Sequence, residues 1–116
     1  MGIQNMFKTV ILYRDRNSKE PFTEWLLSIK DKVTRYRIQT RIRRIENGNY
    51  GDYRRFQRLI EIRLHFGKGY RVYLTEDGIT LVILLIGGDK STQHKDIEKA
   101  KDYMEDYYEQ KKTQNI

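Results

Sequence analysis

The chain of 116 residues has no cysteine, so disulfides and thiolate metal sites are excluded. Its only proline is Pro21, so most of its helix and strand interiors are free of that interruption. The two histidines, His65 and His94, stand at no metal-ligand spacing, and neither a metal nor another cofactor is expected. The longest unbroken apolar run is Leu81 to Ile86, far short of the ~20 residues a membrane helix needs. No hydrophobic signal region opens the chain, so a reducing, cytoplasmic setting without membrane contact is expected. Repeats, linkers and low-complexity tracts are also missing. Residues 1–116 therefore read as one domain, frayed over 112–116.

What the chain does have is positive charge, unevenly placed. The formal net charge is +7. Residues 32–73 hold twelve Lys or Arg against three acids, Glu46, Asp52 and Glu61, so the remainder of the chain is slightly acidic. A basic middle of this kind suits a polyanion, with nucleic acid the first candidate. The alternative is a solvated basic surface.

Leu59 to Asp96 carries the strongest pattern. Ile60, Ile62, Leu64 and Phe66 alternate with Leu59, Glu61, Arg63 and His65, which predicts a half-buried strand. Gly67-Lys68-Gly69 predicts a three-residue hairpin loop. Tyr70 to Glu76 predicts a second strand, and Asp77-Gly78 a two-residue turn. Ile79 to Ile86 predicts a strand buried on both faces. Placing Phe66 opposite Tyr70 sets Arg63 against Tyr73 and His65 against Arg71. Glu61, Arg63, His65, Arg71 and Tyr73 then share one polar face.

The remaining elements follow from shorter signals. Phe7 to Tyr13 predicts a strand inside the sheet. Pro21 suits the first turn of a helix whose buried stripe is Phe22, Trp25, Leu26 and Ile29. Asp31 caps a second helix that ends at Asn47-Gly48, with Ile38, Ile42 and Ile45 as its apolar stripe. Arg37, Arg41 and Arg44 repeat on an adjacent face, either to grip phosphates or as a solvated face. Gly48 to Arg58 reads as a loop or poorly ordered edge, interleaving Tyr50, Tyr53 and Phe56 with Arg54, Arg55 and Arg58. Its aromatics either stack on unpaired bases or pack on the core. Gly87-Gly88 allows a sharp turn, and a C-terminal helix starts at Ser91 or Thr92.

GKGYRVY (Gly67 to Tyr73) and LLIGGDKSTQHKDIEKA (Leu84 to Ala100) resemble the RelE/ParE superfamily of bacterial toxins, in its HigB-like addiction module killer branch. FTEWL (Phe22 to Leu26), the GNYGD loop (Gly48 to Asp52) and LIEIRLHFGKGYRVY are similar to that branch too, so the resemblance runs from about Phe7 to Tyr107. It implies an α+β, RelE-like fold, β-α-α-β-β-β-α. A curved, mostly antiparallel four-stranded sheet would pack on an N-terminal helical pair, with a further C-terminal helix. It also implies the toxin of a type II toxin–antitoxin module, a ribosome-dependent, metal-independent mRNA endonuclease. The implied partners are the ribosome, mRNA, a cognate helix-turn-helix antitoxin and, through that complex only, operator DNA. ParE-like members share the fold and inhibit DNA gyrase without catalysis. A basic nucleic-acid-binding module is the third alternative.

Metal-free RNA cleavage needs a base, an acid and cations for the extra negative charge. The resemblance matches Arg71 to the arginine at the scissile phosphate and Lys90 to a second basic residue. Arg63 shares the face of Arg71, and Glu61 and His65 are the local candidates for base and acid. The family's C-terminal catalytic tyrosine position falls here near Asp96, which leaves either His94 or the strand residues for that role. The expected RNA- or ribosome-binding set is Arg37, Arg41, Arg44, Arg54, Arg55, Lys68 and Tyr73.

Overall fold

Helices cover both faces of a mixed five-stranded sheet in the computed structural model, which describes residues 7–114. In chain order the elements are β1 (Thr9–Leu12), α1 (Pro21–Ser28), α2 (Lys32–Glu46), β2 (Tyr53–Phe56), β3 (Leu59–Arg63), β4 (Arg71–Asp77) and β5 (Leu81–Gly88). A short 3-10 turn (Lys90–Thr92) leads into α3 (Gln93–Gln114). The strand order is β1-β5-β4-β3-β2, antiparallel except where β1 runs parallel to β5. The α+β class thus holds, with five strands rather than four.

The helices form where their signals lie. Pro21 occupies the first turn of α1, and Phe22 and Leu26 are buried beneath it. The Asp31 carboxylate accepts the Val33 N–H at the start of α2, and Gly48 (φ 79°) follows its last turn. Ile38 and Ile45 meet Ile60, Ile62, Val72, Leu74, Val82 and Leu84 in one core. On the other face α3 brings Ala100, Ile97 and Met104 against Leu59, Tyr73, Ile83, Leu85 and Ile86. α3 continues through Gln114, and residues 115–116 of the stretch expected to fray lie outside the described part.

Several expectations need correction. β1 is an edge strand and not an interior one; Ile11 and Leu12 are each 37% exposed. Part of the Gly48–Arg58 stretch forms the opposite edge, β2. Its arginines suit an edge, since charge discourages further strand pairing. Tyr50 is buried and Phe56 packs on the α3-side core, while Tyr53 is exposed. β3 is not half-buried, because α3 covers the face that was expected to be open.

The β3–β4 register is slipped by two residues from the expected one. Arg63 lies opposite Arg71 and Glu61 opposite Tyr73. His65 (φ 55°), Gly67 (φ 58°) and Gly69 (φ 75°) coil the chain into a wider loop, closed by the Leu64 N–H on the Tyr70 carbonyl. The β4–β5 connection takes three residues, with Asp77 opposite Leu81.

The double glycine serves close approach and no sharp turn. An irregularity at Tyr73/Leu74 leaves Leu85 unmatched in β5. That extra residue turns Ile86 toward α3, Gly87 toward α1 and Gly88 toward α3. A Cβ on Gly87 would stand 2.2 Å from the Trp25 ring, so Trp25 is a packing residue. The Gly87→Ala variant is expected to lose about 1–3 kcal/mol, because a rigid indole must move. Denaturant midpoints measure this, and an unchanged midpoint would contradict the packing role.

Candidate functional site

Glu61 is the centre of a polar cluster inside the α3-side layer. β3 points it at α3, and it is fully buried. Its carboxylate accepts from the Gln93 amide at 2.9 Å and the Tyr73 hydroxyl at 3.0 Å. The Arg63 and Arg71 guanidiniums stand at 3.4 Å. Burial pushes the Glu61 pKa up. The bonds from Gln93 and Tyr73 and the charges of Arg71 and Arg63 more than reverse that, and the carboxyl stays below its ordinary range.

The register explains why this carboxylate is needed. Two arginines directly opposite on neighbouring strands repel each other. Glu61 stands between them and supplies one negative charge for two positive ones. The remaining positive charge is partly open to solvent, since the Arg63 and Arg71 side chains are 28% and 13% exposed. The Arg71 Nε is sealed from solvent with no partner among the described residues. Lys68 and Lys90 add to this end of the sheet. The Lys90 N–H donates to the Lys68 carbonyl, and Gly69 rests against the Lys90 side chain.

Glu61 therefore has a different task from the expected general base. Four donors already surround a carboxylate that no solvent reaches, so it holds the arginines in place. Tyr73, expected at an RNA-binding surface, is fully buried. Burial first, and then the Glu61 charge, push its phenol pKa up, so it remains a donor to Glu61.

His65 departs from the shared polar face. Its left-handed backbone turns the ring to Asp52, with which its Nε2 is hydrogen-bonded. The Asp52 carbonyl also accepts the Arg63 N–H at 2.9 Å, which fixes this pair beside the arginine cluster. The His65 bond, followed by the charges of Arg63 and Arg41, holds the Asp52 carboxyl below its usual range. The pair is solvent-exposed. His94 is exposed on the first turn of α3, next to Gln93.

The remaining basic residues divide between surfaces. Arg37, Arg41 and Arg44 line a cleft of about 310 Å³ beside Leu64, on the α2 side of the sheet. Arg54 lies 4.8 Å from the Phe56 ring, and Arg55 pairs with Glu76 at 3.2 Å. The basic middle is thus split over two faces rather than being one continuous patch.

Sequence reasoning missed Gln93 and Asp52 as partners in the site. Asp52 left a signal: it and Glu61 are two of only three acids between residues 32 and 73, and both sit beside the arginines. Gln93 stands in the GGDKSTQ stretch of the resemblance, but its contact with Glu61 left no signal, because it depends on how α3 docks. Asp96 is buried on α3 and accepts from the Thr92 hydroxyl. Burial raises its pKa.

None of the helices among the described residues is long and apolar enough to cross a membrane. No family model matches the chain. An uncharacterized protein of Haemophilus influenzae is 47% identical over 81 residues, spanning 69% of this chain and 82% of that protein. At that identity and coverage the two share one fold and one ancestry, and the chain belongs to the family of this Haemophilus influenzae protein.

Proposed function

We propose that the chain is the toxin of a bacterial type II toxin–antitoxin module, a cytoplasmic endonuclease that cuts mRNA on the ribosome without a metal. The observation that carries this is the Arg63–Arg71 pair, opposed across two strands and held by buried Glu61 with an excess positive charge partly open to solvent. Such a pair suits a phosphate that gains negative charge as it reacts.

In this reading the ribose 2′-oxygen forms a bond to the adjacent phosphorus and the P–O5′ bond breaks. The products are a 2′,3′-cyclic phosphate and a free 5′-hydroxyl. Arg71, Arg63 and Lys90 stabilise the phosphorane oxygens. His65, oriented by Asp52, takes the 2′-hydroxyl proton, and the 5′-oxygen is protonated by His94 or by water. A single histidine base contributes about 10²–10⁴-fold. The ribosome supplies RNA positioning, and a helix-turn-helix antitoxin masks the basic surface and carries the pair to operator DNA.

The test is mRNA cleavage in a purified translation reaction, with 5′ ends mapped with and without ribosomes. Cuts that need translating ribosomes are expected. Intact mRNA beside a folded, toxic protein would overturn the reading and favour gyrase inhibition on the same fold. Intact mRNA, no toxicity and salt-dependent nucleic-acid binding would leave a binding module.

A further inference from the structure

The cleft between α2 and the loop after β3 lies on the opposite face of the sheet from Glu61, and the one acid whose charge reaches Arg41, Asp52, is bonded to His65. Arg14, Arg16, Arg55, Arg63 and Arg71 each have a carboxylate within ion-pair distance. The other seven arginines have none among the described residues, and three of these, Arg37, Arg41 and Arg44, line one cleft.

Arg41 is the most constrained of the three. Its Nε is sealed from solvent and has no partner among the described residues. Its guanidinium lies so close to Gly51 (φ 65°) that a Cβ there would stand 2.2 Å from Nη2. Burial first, and then the charge of Arg44, disfavour its charged form. Arg37 is held over the Phe66 ring at 4.1 Å. Arg37 and Arg41 are thus ordered by packing without an ion pair, so a bound anion finds two forks already placed.

We propose that this cleft binds a backbone phosphate of the RNA strand, apart from the Arg63–Arg71 pair on the other face. The proposal rests on the RNA-directed reading above. An acidic protein segment would also match guanidinium forks, but the rim favours a nucleotide. Tyr36, 63% exposed, offers a stacking surface for a base beside the phosphate. Gly51 lies against the Arg41 guanidinium and the Asp52 carbonyl accepts the Arg63 N–H, so the Asp52–His65 pair stands between the two basic sites. A strand engaging both passes His65 on the way.

The experiment uses the full-length chain labelled with ¹⁵N and a 2′-O-methyl decaribonucleotide, which has no 2′-hydroxyl and is not cut. The Arg41 Nε–H resonance is expected to shift on titration. Replacing Arg37, Arg41 and Arg44 together by Gln is expected to weaken probe binding about tenfold at low salt and to lower the salt slope by about 0.7 per phosphate lost. Arg37→Gln alone, at an exposed position, gives the same direction if the triple variant does not fold. An unmoved Arg41 resonance, or unchanged affinity in a folded triple variant, overturns the proposal. So does a polyglutamate peptide that shifts Arg41 where the decamer does not. If Arg41 responds while mRNA stays uncut on ribosomes, the nuclease reading falls and the cleft stands. If mRNA is cut with Arg41 unmoved, the reverse holds.

Discussion

Glu61→Ala is expected to destabilise the protein by about 3–5 kcal/mol, because it removes the one carboxylate compensating two partly buried guanidiniums. Against a typical total of about 5–15 kcal/mol, that brings the fold close to its limit. Two further groups lose an acceptor, the Gln93 amide and the Tyr73 hydroxyl. Glu61→Gln offers little rescue, since its amide nitrogen would face other donors. Replacing Glu61, Arg63 and Arg71 together by Leu, Met and Met should restore much of the lost stability, because no orphaned charge remains. Denaturant unfolding of the three variants decides this. A Glu61→Ala loss below about 1 kcal/mol would mean that the carboxylate does not hold the pair.

The same group gives a pH signature. Its folded pKa lies below the ordinary value, so its stabilisation is present above about pH 4.3 and is lost as pH falls through the folded value. Asp96 acts in the opposite sense. Burial raises its folded pKa, so its contribution is present below about pH 3.9 and disappears as pH rises through the folded value. The acid limb of the stability profile should therefore be shallower in Glu61→Ala than in the parent. Equal slopes would argue that other carboxylates, such as Glu76 and Asp77, set that limb.

Alternation was enough to place Glu61, Arg63, Arg71 and Tyr73 on one face. It survived a wrong register because a slip of two residues preserves the face of every side chain. Three features were not legible, each for a physical reason. Edge strands need little apolar character, so the YRRF of β2 carried no strand signal. The unmatched Leu85 depends on pairing with β4, which no single-strand pattern records, and it decides which helix each glycine meets. His65 follows the β3 alternation in sequence, but its left-handed backbone turns the ring away from it. Glu61 itself was legible as a member of the site but not as a buried one. The cover comes from α3, whose apolar stripe of Ile97, Ala100, Met104 and Tyr107 is interrupted by many charges.

In the proposed reaction, Arg71→Ala is expected to reduce the rate of mRNA cleavage on the ribosome by about 10²–10³-fold, the usual loss when one donor aimed at developing charge is removed. The fold should survive, because Arg63 remains to pair with Glu61. Arg71→Lys keeps the charge but loses the fork, and should recover only part of the rate. The division between kinetic constants matters more than the size of the loss. A residue at the reacting phosphate lowers kcat with little change in KM. A residue that only holds RNA raises KM with kcat intact. The cleft arginines should show the second pattern and Arg71 the first, although all belong to one basic stretch of sequence. If Arg71→Ala raised KM alone, the Glu61-held pair would be a docking surface, and the chemistry would lie nearer the Asp52–His65 edge. A rate within about twofold of the parent would remove Arg71 from the reaction altogether. The two arginine groups lie on opposite faces of the sheet, so combining them in one variant should give additive losses. Strong non-additivity would mean that one RNA strand is strained across both faces at once.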